Sequence, residues 1–295
     1  MNTLTEWNHI RAETVAQKLA GRAVQALLDE ARLSPKPGLV DARGSGAHDD
    51  MDLPMLEASA ESLRPFFAAM ALAGWARTPD TALRRQIGAI GREGEKTMLE
   101  TTGGVNTHRG AIWALGLLVT ASAMHEGSAE IPAITGAASR LARLEDTACP
   151  AVFSKGRYVT HRYRVPGARG EAQRGFPHVT RLALPQLAKS REQGMSEEAA
   201  RVDALLAIMT SLADTCVLAR GGLTALDAMH AGARSVLECG GIGSAAGKKA
   251  FGLLENAMLS AGVSPGGAAD LLAAALFLDS IATGLSHKEE SIWNA

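Results

Sequence analysis

LEASAESLRPFFAAMALAG, residues 56–74, decides the fold. Leu56, Ala60, Leu63, Phe67, Met70 and Gly74 step by four and by three, the spacing of an apolar stripe on an α-helix. The two-residue alternation that marks a half-buried strand is missing. Pro65 falls inside the run, and its ring and absent N–H predict a kink or break near Arg64. The same period continues on both sides. Ile10, Val15, Leu19, Ala23, Ala26 and Leu27 share one face of an N-terminal helix, and Val202, Leu205, Met209, Leu212 and Cys216 share another. Residues Ile112 to His125 are apolar nearly all round and predict the central helix. Further helices are expected at 223–238, 244–261 and 268–284. Arg157 to Val165 holds β-favouring residues but has no hairpin partner. The expected fold is all-α: one compact array of many helices, a single domain over residues 1–295, with functional loops converging on one cleft.

Composition narrows the function. A chain of 295 residues with 46% hydrophobic content can bury a large core. A net charge of −1 provides no field that would gather nucleic acid or a membrane surface, and 4% aromatic content argues against base-stacking platforms. Cys149, Cys216 and Cys239 lack metal-like spacing and read as buried thiols of a reducing compartment. No secretory signal is expected at the N-terminus, and the apolar run Gly110 to His125 is short for a bilayer. These observations point to a soluble, cytoplasmic protein.

Five segments break the helical pattern. The first is Ser34-Pro35-Lys36-Pro37-Gly38-Leu39-Val40-Asp41, followed by Gly44 to Asp52 with His48, Asp49, Asp50 and Asp52. Two prolines bracket a lysine, so no helix runs through it. The second is Thr101 to Gly110, a polar Gly-rich turn before the most apolar helix. The others are 154–177, Asp214 to Gly222, and Ser264 to Leu271. The turn Gly103-Gly104-Val105-Asn106-Thr107-His108-Arg109 offers open backbone N–H groups at a helix start, which suits an anion, with Thr107 and Arg109 as added donors. An ordinary helix start reads the same way, and neither a Walker loop nor a Rossmann fingerprint is present. Charge is separated locally. Lys155, Arg157, Arg162, Arg164, Arg169 and Arg174 face one acid, Glu171, between 154 and 174. Asp41, Asp49, Asp50, Asp52, Glu57 and Glu61 face one base, Arg43, between 41 and 61. The pair matches a polyphosphate bound with Mg²⁺, and equally two solvated surfaces that pair with each other.

Together and in this order, the segments resemble the triphosphoribosyl-dephospho-coenzyme A synthase family over essentially the whole chain. The carriers are Ser34–Asp41 with Gly46–Asp52, Thr102–Ala111, Ala168–Pro177, Asp214–Gly222 and Ser264–Ala273. The wording Arg43 to His48 looks closer to the malonate decarboxylase branch than to the citrate lyase branch.

The resemblance implies an all-helical enzyme that joins ATP, as a substrate, to 3′-dephospho-CoA and releases adenine. The product would pass to a separate transferase acting on an acyl carrier protein. It also implies Mg²⁺. For such chemistry His48, Asp52 and Glu171 are the candidates for proton work, and Asp49, Asp50 and Asp214 for metal. Lys36, Gly103, Gly104, Asn106, Thr107, His108, Arg109, Lys155, Arg169 and Arg220 are the candidates for substrate and phosphate contacts. A homodimer is compatible with the chain. The competing readings are the same reaction serving citrate lyase, a Mg²⁺-dependent ribosyl glycohydrolase, and a nucleotide-binding accessory subunit without activity.

Overall fold

A computed structural model describes the backbone of residues 3–128, 130–149 and 155–293, and the side chains of 6–128, 130–149 and 156–284. Among the described residues the structure is helical throughout, with no strand; a single β-bridge joins Asp41 to Gly44. The helices are α1 (Thr3–Arg32), α2 (Leu53–Ser62), α3 (Arg64–Gly74), α4 (Thr81–Thr101), α5 (Arg109–Met124), α6 (Ile131–Arg143), α7 (Lys155–Tyr163) and α8 (Gly167–Gln173). A π-helical turn, Val179–Ala183, leads into α9 (Leu184–Glu192), then α10 (Glu197–Met209), α11 (Thr215–Glu238), α12 (Ala245–Ser260) and α13 (Gly266–Trp293).

The stripe of residues 56–74 is divided where Pro65 requires it. α2 stops at Ser62, Leu63 caps both helices, and the proline sits in the first turn of α3, where its missing N–H costs no hydrogen bond. α5 is the axis of the array. Leu115, Leu118, Val119 and Ala121 are fully buried, and α5 packs on α1, α3, α4, α6 and α13. Burying each leucine or valine contributes about 1.5–3 kcal/mol, which is why the most apolar helix takes the centre. Gly74 lets α3 close on it: a Cβ there would stand 2.5 Å from the Thr120 carbonyl oxygen. In α13, Gly266–Gly284 is long and apolar enough to cross a membrane, yet 61% of that window is buried within the array.

Several expectations need correction. The stripe Val202 to Cys216 is not one helix: α10 ends at Met209, and Asp214 starts α11. The segment 154–177 is not a plain break, since it holds α7 and α8, separated where Pro166 interrupts and Gly167 takes φ 57°. Cys149, Cys216 and Cys239 are all exposed, because they lie in a loop or at the two ends of α11. α11 is bent at Gly222 (φ 65°, ψ −160°), so residues 223–238 form its second half.

Candidate active site

The five loop segments meet around the start of α5. Asp214 caps α11: its Oδ1 accepts the N–H of Cys216 at 2.8 Å and of Val217 at 3.4 Å. Its Oδ2 accepts the N–H of Ala268 at 2.9 Å, in the first turn of α13. One buried carboxylate therefore ties two helix N-termini together, as the helix dipoles favour. Burial still leaves its pKa raised, against the pull of those N–H groups. Asp270, one turn further along α13, lies against the start of α5 and accepts the N–H of Ala111. Gly110 makes room for it: a Cβ there would collide with its Oδ2. Burial, then Asp214 and Glu30, push the Asp270 carboxyl well above the ordinary carboxylate range.

Lys36 turns into the core. It is 1% exposed, and its Nζ donates to Glu30 Oε1 at 2.6 Å and to the Glu30 carbonyl at 2.5 Å. Its ammonium thus serves Glu30 and is held away from the surface. Asp41 fastens the same loop by accepting Lys36 N–H at 2.9 Å and Arg43 N–H at 2.7 Å. Burial raises its pKa, but Arg43 and these N–H donors outweigh it and leave the carboxyl below its usual value. Gly46 (φ 60°) completes the turn, where a Cβ would collide with the Leu39 carbonyl. Ala31, Val40 and Leu56, with Met51 and Leu53, pin the loop through a small apolar cluster.

The second segment joins this centre through His108. The ring is 4% exposed, and Nδ1 meets Ser59 Oγ at 2.8 Å. Ser59 in turn meets Thr107 Oγ1 at 2.6 Å. His108 Nε2 is buried with no hydrogen-bond partner. Burial, and then the charge of Lys36, lower the His108 pKa to about 4, so the ring is neutral. Gly103 and Gly104 form an exposed left-handed turn (φ 63° and 97°) with open space around them. Asn106 Oδ1 accepts the Arg109 N–H at 3.3 Å, and the Arg109 guanidinium pairs with Glu95.

The acidic loop touches the fourth segment. Arg220 donates to His48 Nδ1 at 3.2 Å and to the Ala47 carbonyl at 3.2 Å. With Nδ1 accepting, the hydrogen sits on Nε2. Burial, and then Arg220, lower the His48 pKa, while Asp50 at 3.4 Å opposes them. Asp49 and Asp50 are exposed, and Asp52 caps α2 by accepting the Met55 N–H at 2.9 Å. Among the described residues no group of three or more His, Cys, Asp or Glu could hold a metal ion. Both oxygens of Asp214 are already taken by backbone donors. The donor set therefore does not fit a resident protein-caged ion. Asp49 and Asp50 retain oxygens for the water shell of a hydrated one.

The third segment is tied on through α5 and α11. Trp113 Nε1 donates to the Ala168 carbonyl at 3.2 Å, and Gly167 lies beside Thr215. Glu171 is buried and committed to His178: Oε1 accepts its backbone N–H at 2.8 Å, and Oε2 meets Nδ1 at 2.8 Å. Arg169 is exposed. The side chain of Lys155 lies outside the described residues.

Glu30, Ser59 and Asp270 were not singled out from the sequence. Asp270 lay inside a segment already noted, and its place behind two glycines at a helix start was a readable sign. Glu30 and Ser59 sit in ordinary helical runs, and only packing reveals them.

A family model described as CitG, ATP:dephospho-CoA triphosphoribosyl transferase, matches residues 16–289. The chain is 58% identical over 273 residues to the 2-(5″-triphosphoribosyl)-3′-dephosphocoenzyme-A synthase of Klebsiella pneumoniae, covering 92% of this chain and 98% of that protein. It is 57% identical over 278 residues to the probable synthase of the same name from Stutzerimonas stutzeri, covering 94% and 96%. No solved structure matches. With five loop segments gathered at one centre and this likeness running almost end to end, the chain belongs to the ATP:dephospho-CoA triphosphoribosyl transferase family.

Proposed function

We propose that the chain transfers the triphosphoribosyl group of ATP to the 2′-hydroxyl of 3′-dephospho-CoA, releasing adenine. The observation that carries this reading is the carboxylate cluster of Glu30, Asp214 and Asp270 at the start of α5, where the loop segments meet. The bond to be broken is the ribose C1′–N9 bond, and its carbon gains positive, oxocarbenium-like charge as it breaks. A cluster of carboxylates is the environment that such a centre needs, whereas a phosphoanhydride cleavage would call for cations at the reacting atom.

Asp270 is the residue we assign to the proton. It accepts the proton of the attacking 2′-hydroxyl as the C1′–O bond forms. The electron pair of the broken C1′–N9 bond leaves with adenine, and the same proton passes to an adenine nitrogen. Its pKa, raised by burial and by Asp214 and Glu30, brings it nearer a working pH than an ordinary carboxylate. Lys36 holds Glu30 in place beneath it through a 2.6 Å contact. His48, fixed by Arg220 with its hydrogen on Nε2, offers a neutral donor on the loop above α2. Mg²⁺ enters in this reading as part of the nucleotide and neutralises its triphosphate, with Asp49 and Asp50 as the residues that would touch its waters.

The destination we favour for the product is the acyl carrier protein of malonate decarboxylase, by way of a separate transferase, because the Arg43–His48 wording resembles that branch. The test is incubation with ATP and dephospho-CoA, followed by mass spectrometry. One adenine per triphosphoribosyl adduct is expected. Adenine from ATP alone would make the chain a ribosyl hydrolase, and tight ATP binding without turnover would make it an accessory subunit.

A further inference from the structure

Arginines gather on a part of the molecule that the carboxylate chemistry does not use. Arg84, Gly88 and Arg92 follow one another at four-residue steps on α4 and share a face. That face lies along the first turns of α5, where Trp113 follows Gly110 by three residues and so points the same way. The Arg84 guanidinium stacks on the Trp113 ring, 5.1 Å from its centroid. Trp113 Nε1 holds the Ala168 carbonyl at 3.2 Å, which sets Arg169 beside the stack.

Among the described residues one carboxylate answers this cluster. Asp146, with a side chain 3% exposed, pairs with Arg92 at 2.7 Å and with Arg84 only at 3.6 Å. The space for it is provided by Gly88, since a Cβ at that position would collide with Asp146 Oδ2. Arg84 is 9% exposed, yet its Nε is buried without a hydrogen-bond partner. Burial lowers the Arg84 pKa; Asp146 and then Cys149 oppose this, and Arg169 and Arg92 add to it. A guanidinium that is largely desolvated, shares one acid with a second arginine and faces a third is short of negative charge. Tying α4 to the 144–149 turn needs one arginine and Asp146. It does not account for the second and third.

We propose that Arg84, Arg92 and Arg169 form a phosphate subsite along α4 and α5, which takes the oligophosphate of a substrate. Trp113 acts there as a positioning residue. The proposal rests on the reading of the chain as a triphosphoribosyl transferase. Gly110, where Asp270 lies, is three residues, about 4.5 Å of helix rise, from Trp113. A ribose at the carboxylates therefore carries its 5′-phosphates toward the arginines. Guanidinium forks match phosphate oxygens in pairs, and two such groups that share one acid leave donors open to a polyanion. The chemistry suits the triphosphate of ATP or the diphosphate of dephospho-CoA.

The test uses calorimetric titration of the full-length protein with inorganic tripolyphosphate and pyrophosphate, followed by adenine-release kinetics. Direct binding is read without turnover, so failure of the subsite is distinguishable from failure of the proposed reaction. Arg92→Gln and Arg169→Gln stand on partly exposed or exposed positions and should fold. Each is expected to weaken polyphosphate binding by about 10-fold or more, with kcat nearly unchanged. A rise in the KM for ATP together with loss of tripolyphosphate binding identifies the triphosphate. A rise in the KM for dephospho-CoA with loss of pyrophosphate binding identifies the diphosphate. Trp113→Phe keeps the ring but loses the Ala168 bond, and should give a smaller change of the same sign. Native affinity for both inorganic anions in Arg92→Gln and Arg169→Gln, with unchanged melting, would overturn the subsite.

Discussion

Two acid-rich regions of the molecule differ in everything except composition. Asp214 and Asp270 sit at the starts of α11 and α13, held by backbone N–H groups, and Glu30 joins them from the last turn of α1 with one buried ammonium. Asp49, Asp50 and Asp52 stand exposed on the loop before α2, where Asp52 caps a helix. In the first region, desolvation raises the proton affinity of Asp214 and Asp270, so these carboxylates can hold or pass a proton. Solvation in the second leaves oxygens that a hydrated cation can reach. A carboxylate's role thus follows from what surrounds it, and a dense run of aspartates in sequence does not by itself mark the reacting centre.

The contrast can be broken most severely at Lys36. Lys36→Met leaves Glu30 buried without its cation, and should destabilise the protein by about 3–5 kcal/mol. Urea denaturation reads this, and a loss under 1 kcal/mol would mean that Glu30 can rearrange to water.

A second change probes the neutral ring beside this pair. His108 has a folded pKa of about 4, below the ordinary value near 6.5. Between these values the unfolded chain binds a proton that the native ring refuses. The contribution is therefore complete above about pH 6.5 and falls, by on the order of 3 kcal/mol, as pH drops toward 4. His108→Gln should flatten this part of the stability–pH curve. An unchanged slope would show that the ring is hydrated.

The exposed region should respond least. Asp49→Asn and Asp50→Asn are expected to change stability by less than about 0.5 kcal/mol, while raising the Mg²⁺ concentration needed for half-maximal adenine release. Asp52→Asn keeps a capping oxygen and should be nearly silent in thermal melting, whereas Asp52→Ala should cost about 0.5–2 kcal/mol.

The helices were readable because their apolar spacing is long and regular, and Pro65 marked its own break. Of the five interrupting segments, 34–52 and 101–110 are loops for most of their length, whereas 154–177 holds α7 and α8 and the last two open α11 and α13; contacts such as His48–Arg220 and Asp214–Ala268 bring them together. Side-chain commitments were harder to see. Lys36 between two prolines suggested a phosphate contact, but folding turns it onto Glu30, six residues upstream across the end of α1. Glu171, flanked by small residues, suggested a catalytic carboxylate, and it is held by His178. Asp214 suggested a metal ligand, and its oxygens are filled by N–H groups of the helix it caps and by that of Ala268 on α13.

The most direct measurement compares the two regions in one assay: adenine release from ATP and dephospho-CoA by Asp270→Asn and by Asp49→Asn, with Mg²⁺ titrated to saturation. The account predicts that Asp270→Asn loses about 10²-fold or more in kcat at every Mg²⁺ concentration, while Asp49→Asn regains near-native turnover once Mg²⁺ is saturating. Near-native kcat in Asp270→Asn, with a deep loss in Asp49→Asn that Mg²⁺ does not restore, would contradict it and move the reacting centre to the exposed loop.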